Sequence, residues 1–254
     1  MVFLGGLAAC QPERNMDGAT DAKRASADTA PTVGSAIASA GETAVKDSVR
    51  AKVTVLFFGT SLTAGYGLDP SQAFPVMVAA KAASEGMPIA AINAGLSGET
   101  SAGALRRVDW VLKTPVDVVV LETGGNDALR ALDANALKTN LTAIVGRIRR
   151  AQPGAKILLA VMEAPPNFGA RYTSSFREAY ASVAKAEGLT LMPFLLDRVA
   201  GHPELNQEDG VHPNLAGERI VADNVWRALK PIVVEIYRSV ICCPKPPIPA
   251  KFKG

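Results

Sequence analysis

The chain has 254 residues, of which 48% are hydrophobic and 6% aromatic, with a formal net charge of +3. That is enough for one α/β domain of ordinary size with appendages, and enough apolar material to exclude wholesale disorder. So weak a positive charge with so few aromatics leaves no footprint for nucleic acid, and no apolar run approaches the roughly 20 residues that span a bilayer.

Cys10 is the first feature in chain order. Leu7-Ala8-Ala9-Cys10 resembles the bacterial lipobox, in which the Cys is acylated and becomes the mature N-terminus. Only nine residues precede it, none of them Lys or Arg, whereas secretory signals run about 15–30 residues with a basic start. Residues 1–10 are therefore expected to be a truncated lipoprotein signal. Residues 11–50, rich in Ala, Ser, Thr, Asp and Gly, cannot bury enough surface to offset ordering and are expected to be a tether. On these features the protein is expected outside the cytoplasm, in the periplasm or cell envelope, held to the membrane through Cys10.

Composition shifts at Val53. Val53–Phe58 (VTVLFF) is a short continuous apolar run closed by Gly59, as a buried parallel strand would be. Phe74–Glu85 reads as a helix closed by Gly86, and Ile89–Asn93 as a weaker strand. Ala102–Leu112 puts Ala104, Leu105, Val108, Val111 and Leu112 on one helical face. Val116–Glu122 is the strongest strand, and Asp133 caps a helix with the stripe Leu137, Leu141, Ile144, Val145 and Ile148. Lys156–Met162 is a fourth strand, Tyr172–Glu187 a helix, Leu189–Phe194 a fifth strand, and residues 213 to about 237 a final helix. Alternating strands and helices predict a five-stranded, mostly parallel sheet covered on both faces, over residues 51–238. A Pro- and Lys-rich tail, 239–254, carries Cys242 and Cys243, read as two thiols with no redox role.

Ligand sites of such sheets lie at the carboxyl ends of the strands. The loops after strands here carry Gly59-Thr60-Ser61, Asn93 to Thr100, Thr123-Gly124-Gly125-Asn126-Asp127, Glu163 to Gly169, and Asp209-Gly210-Val211-His212. The helix-to-strand turns are plain, for example Gln152-Pro153-Gly154 and Glu187-Gly188. Of the two histidines, His212 follows Asp209 by three residues, so one turn can bring a carboxylate to one ring nitrogen while the other faces outward, as a general base requires. Acyl transfer also needs donors fixed where the oxyanion develops. The Ser61 N–H, the Gly98 N–H and the Asn126 side chain can supply them. Each of these residues, taken alone, is more often an ordinary turn former.

In chain order, Gly59-Thr60-Ser61, Gly98, Gly125-Asn126-Asp127 and Asp209-Gly210-Val211-His212 resemble the four sequence blocks of the SGNH (GDSL) hydrolase superfamily. Across residues 53–230 the resemblance is strongest to the bacterial thioesterase I, lysophospholipase L1 and arylesterase branch, through "TSLTAGYGL", "NAGLSGETSAGALRR", "LETGGNDALRAL" and "DGVHPNLAG". The resemblance implies a flavodoxin-like three-layer α/β/α sandwich. It also implies Ser61 as nucleophile, His212 as base, Asp209 orienting His212, an oxyanion hole of Ser61, Gly98 and Asn126, and no metal or organic cofactor. The implied reaction is hydrolysis of small-molecule carboxylic esters: aryl, short- or medium-acyl, with lysophospholipids and thioesters included. Leu129, Pro165 and Phe168 are expected to border the acyl pocket. The family usually has Asp before the Ser, and here Thr60 stands there. Two other readings compete: a catalytically inactive, lipid-tethered binding protein of the same fold, and a flavodoxin-like nucleotide binder. "GTSLTAG" lacks the P-loop Lys and its glycine spacing, which disfavours the second. The absent final Gly of G-x-S-x-G argues against the α/β-hydrolase elbow.

Overall fold

A computed structural model describes residues 52–242; the expected signal with Cys10, the whole of the expected tether and Cys243 lie outside them. Each strand is explained by its apolar run. β1 (Val53–Gly59), β3 (Val118–Leu121) and β4 (Lys156–Val161) are buried along nearly their whole length, as central strands covered on two faces must be. β2 (Ile89–Gly95) and β5 (Thr190–Phe194) are the half-exposed edges. All pairs are parallel, in the order β2-β1-β3-β4-β5, the flavodoxin-like arrangement expected above. At the β4–β5 edge the register steps from Ala160–Met192 to Val161–Phe194 and skips Pro193. Proline has no N–H to donate to a ladder and is tolerated at such an edge.

The helices α2 (Phe74–Ser84), α3 (Ser101–Val111), α5 (Ala134–Ala151), α6 (Ala170–Glu187) and α7 (Leu215–Cys242) flank the sheet. Two shorter helices, α1 (Ser61–Ala64) and α4 (Gly125–Leu129), follow β1 and β3 directly. α2 packs on α7, while α5 packs between α3 and α6. Asp133 caps α5 by accepting from the Asn135 N–H at 2.9 Å, and the stripe from Leu137 to Ile148 is fully buried. α7 runs through Pro231 and ends at Cys242, beyond the end expected near Tyr237. Its apolar face continues past the proline, since Ile232, Val233 and Tyr237 are all buried.

Candidate active site

The carboxyl ends of β1, β2 and β3 meet at the point where strand order reverses, so the loops after them converge on one crevice. Ser61 opens α1 immediately after β1. Its Oγ lies 2.8 Å from His212 Nε2, and His212 Nδ1 lies 2.6 Å from Asp209 Oδ2. The other oxygen of Asp209 accepts from the backbone N–H groups of Val211 and His212, each at 2.9 Å. Desolvation alone would raise the Asp209 pKa. The His212 N–H, its imidazole and the Val211 N–H outweigh that and hold the carboxyl at about 2. An ionised Asp209 requires a proton on Nδ1, which leaves Nε2 free to take the proton from Ser61. Tyr66 lies beside the imidazole, its ring centroid 4.6 Å away at 40°.

Gly98 and Asn126 line the same pocket as Ser61 and His212. Gly98 has φ +76°, a left-handed conformation that explains glycine there. Asn126 Nδ2 donates to the Glu99 carbonyl at 3.0 Å, which fixes the plane of the amide. The next residue, Asp127, is buried and accepts from the Ser101 N–H at 2.7 Å and the Ser101 hydroxyl at 2.5 Å, tying α4 to the start of α3. The crevice encloses about 290 Å³. Leu129 and Pro165 line it, together with Met162, Phe194, Leu196 and Val211. Phe168 does not. Pro166 starts a 3₁₀ turn ending at Phe168, and this turn carries Phe168 away to pack edge-on against Tyr172, centroids 5.7 Å apart. There it lines a separate groove with Arg171 and Tyr172.

The residue at position 60 has a structural account. Thr60 is buried, and its hydroxyl donates to Glu122 at 2.9 Å while its N–H donates to the same carboxyl at 2.7 Å. The Thr63 hydroxyl donates there at 2.9 Å as well. Gly59 must be glycine, because a Cβ would meet Thr63 Oγ1 at 2.0 Å and Glu122 Oε2 at 2.5 Å. Burial pushes the Glu122 carboxyl above its ordinary range, with the Thr60 and Thr63 donors pulling the other way. A carboxyl thus stands beside the nucleophile loop, supplied from the end of β3. An Asp at 60 would be a second buried carboxyl against the first, and the two would share one proton. Thr60→Asp is therefore expected to lose about 1–3 kcal/mol of stability relative to wild type between pH 5 and pH 9, as the second ionisation is forced. Urea unfolding of both proteins at the two pH values checks this. A difference that does not change with pH would refute it.

The profile of the GDSL-like Lipase/Acylhydrolase family matches residues 57–220. Esterase TesA of Pseudomonas aeruginosa is 40% identical over 181 residues, covering 71% of this chain and 89% of that protein. The Escherichia coli K12 protein named thioesterase 1/protease 1/lysophospholipase L1 is 34% identical over 181 residues, covering 71% and 85%. Among solved structures, the psychrotrophic esterase EstA from Pseudoalteromonas sp., inhibited by monoethylphosphonate, superposes with a TM-score of 0.66 at 35% identity. That match covers 70% of this chain and 97% of EstA.

Proposed function

Because the chain belongs to the GDSL-like lipase/acylhydrolase family, we propose that it is a serine esterase whose nucleophile is Ser61. The observation that carries this reading is the unbroken hydrogen-bonded chain Ser61–His212–Asp209 at the mouth of a largely apolar crevice. Ser61 Oγ attacks the ester carbonyl as His212 Nε2 takes its proton. The oxyanion is received by the Ser61 and Gly98 N–H groups and by the Asn126 amide hydrogen that Glu99 does not hold. His212 then returns the proton to the departing alkoxide, leaving an acyl-Ser61. Water, deprotonated by His212, attacks that acyl carbon, and Ser61 recovers its proton as the acid departs.

The acyl group is the apolar part of the substrate, held among Leu129, Met162, Pro165, Phe194 and Leu196. Short- and medium-chain or aryl esters suit a crevice of about 290 Å³. Leu7-Ala8-Ala9-Cys10 and the polar stretch after it support an extracytoplasmic, lipid-tethered enzyme, for which lysophospholipids are more accessible than acyl-CoA. Among the described residues, no helix is long and apolar enough to cross a membrane.

Two measurements test the reading. A fluorophosphonate probe is expected to label Ser61 and no other residue. Across p-nitrophenyl esters, kcat/KM is expected to rise up to about fourfold for each methylene the crevice buries and then level off, since each buried methylene contributes about 0.8 kcal/mol. Absence of both labelling and hydrolysis would refute the enzyme. A kcat/KM that does not rise with chain length would refute the acyl assignment.

A further inference from the structure

Resting on the esterase reading, we propose that Arg107 and Glu99 are positioning residues that hold the oxyanion hole in register with the nucleophile loop. Arg107 lies on α3, away from the crevice. Its Nε is 2.7 and 2.9 Å from the two Glu99 carboxylate oxygens, and its Nη2 is 2.7 Å from one of them. The same Nη2 donates to the carbonyl of Gly59 at 3.1 Å and to that of Ala94 at 2.9 Å. The guanidinium lies 4.6 Å from the centroid of the Phe58 ring. One planar group therefore joins the end of β1, the end of β2 and the loop that follows β2.

Each oxyanion donor is one short step from that junction. Gly59 is two residues before Ser61, and Gly98 directly precedes Glu99. Asn126 is oriented by the Glu99 carbonyl. The Glu99 side chain is 6% exposed and that of Arg107 19%, so the pair sits in a medium where a fork of fixed donors is effective and a lone charge is not tolerated. Lysine cannot reproduce the fork, since its ammonium is a single point on a flexible stem.

The test uses Arg107→Lys, Glu99→Gln and the double variant Glu99→Leu/Arg107→Met. The double variant leaves no buried charge unpaired and so guards against misfolding. Each is assayed for kcat and KM on p-nitrophenyl butyrate and for inhibition by butylboronic acid. The trigonal boron of that inhibitor accepts a Ser61 Oγ lone pair, the Ser61 proton passes to His212, and a boron-bound oxygen takes the place of the oxyanion. Expected are a 10- to 100-fold loss of kcat, a KM within about twofold of wild type, and a rise in boronate Ki that tracks the loss of kcat/KM. Full kcat in a folded double variant would overturn the proposal. So would a kcat loss with an unchanged boronate Ki, or an effect confined to KM. A wild type with no turnover would overturn the esterase reading itself; an active wild type with insensitive variants overturns only the positioning role.

Discussion

Replacing Ser61 with Ala lowers kcat on p-nitrophenyl esters by about 10⁵- to 10⁶-fold and abolishes fluorophosphonate labelling, while the protein stays folded. The variant keeps His212, Asp209 and the oxyanion donors, so what it loses is the covalent route and the proton transfer that accompanies it. About 10³-fold acceleration over water should survive, supplied by the donors and by substrate binding. Because Ser61 and His212 act as a unit through one 2.8 Å contact, His212→Ala should be nearly as damaging, and the double variant no worse than either alone. Steady-state kinetics on the three purified variants checks this. Ser61→Ala retaining more than about 1% of wild-type kcat would refute the assignment, as would multiplicative losses in the double variant.

Glu218→Gln flattens the dependence of stability on pH and makes the protein more stable than wild type in alkaline solution. Glu218 stands in the first turn of α7 with its side chain buried, accepting from the Phe74 N–H at 2.7 Å where α2 begins. Burial raises its pKa from 4.5 to about 8, against the single hydrogen bond from Phe74 that lowers it. The folded protein therefore holds this proton more tightly than the unfolded chain does. The stability so gained is complete below the unfolded value of 4.5, declines as pH rises, and is gone once pH has passed through about 8. A shift of this size corresponds to about 3–5 kcal/mol across that window. Glutamine keeps an acceptor for the Phe74 N–H and has no proton to lose. Urea unfolding at pH 5 and pH 9 should show the two proteins similar at the lower pH and the variant ahead at the higher. A variant-minus-wild-type difference that stays constant with pH would refute this.

Much of the fold is legible in the sequence because central strands of a parallel sheet leave continuous apolar runs and their helices leave a 3.6-residue stripe. β1, β3 and the Leu137–Ile148 stripe need no tertiary information to find. α1 and α4 do. With four and five residues they are too short to show a period, and each exists because a loop must turn immediately after a strand. The last helix reads across Pro231 to about residue 237, and α7 does pass through that proline, because its apolar face stays buried on the far side.

At the site, the small polar residues were readable because strand ends share one edge, so loops far apart in sequence can be placed together. The side chains that brace them were not. Arg107 and Glu99 sit at helix and turn positions where charge usually means solvent, and Glu122 reads as the tail of a strand. What distinguishes them is burial against groups as many as 62 residues away, and no local pattern records that. Phe168 illustrates the converse. It follows an active-edge strand, but its direction is set by the turn at Pro166, and it faces Tyr172.

Asp209 and His212 belong to one four-residue turn, and the contacts of Asp209 within it go to Val211 and His212. Ser61 is 151 positions away from His212. In kinematic terms the acid and base travel as one rigid body and the nucleophile as another, so the tertiary structure has a single catalytic gap to hold closed. α7, which begins three residues after His212 and packs on β1 and β4, is the lever arm across that gap. Buried residues such as Val225 and Leu229, deep in α7 and outside the lining of the crevice, therefore bear on one coordinate: the separation of Ser61 Oγ and His212 Nε2.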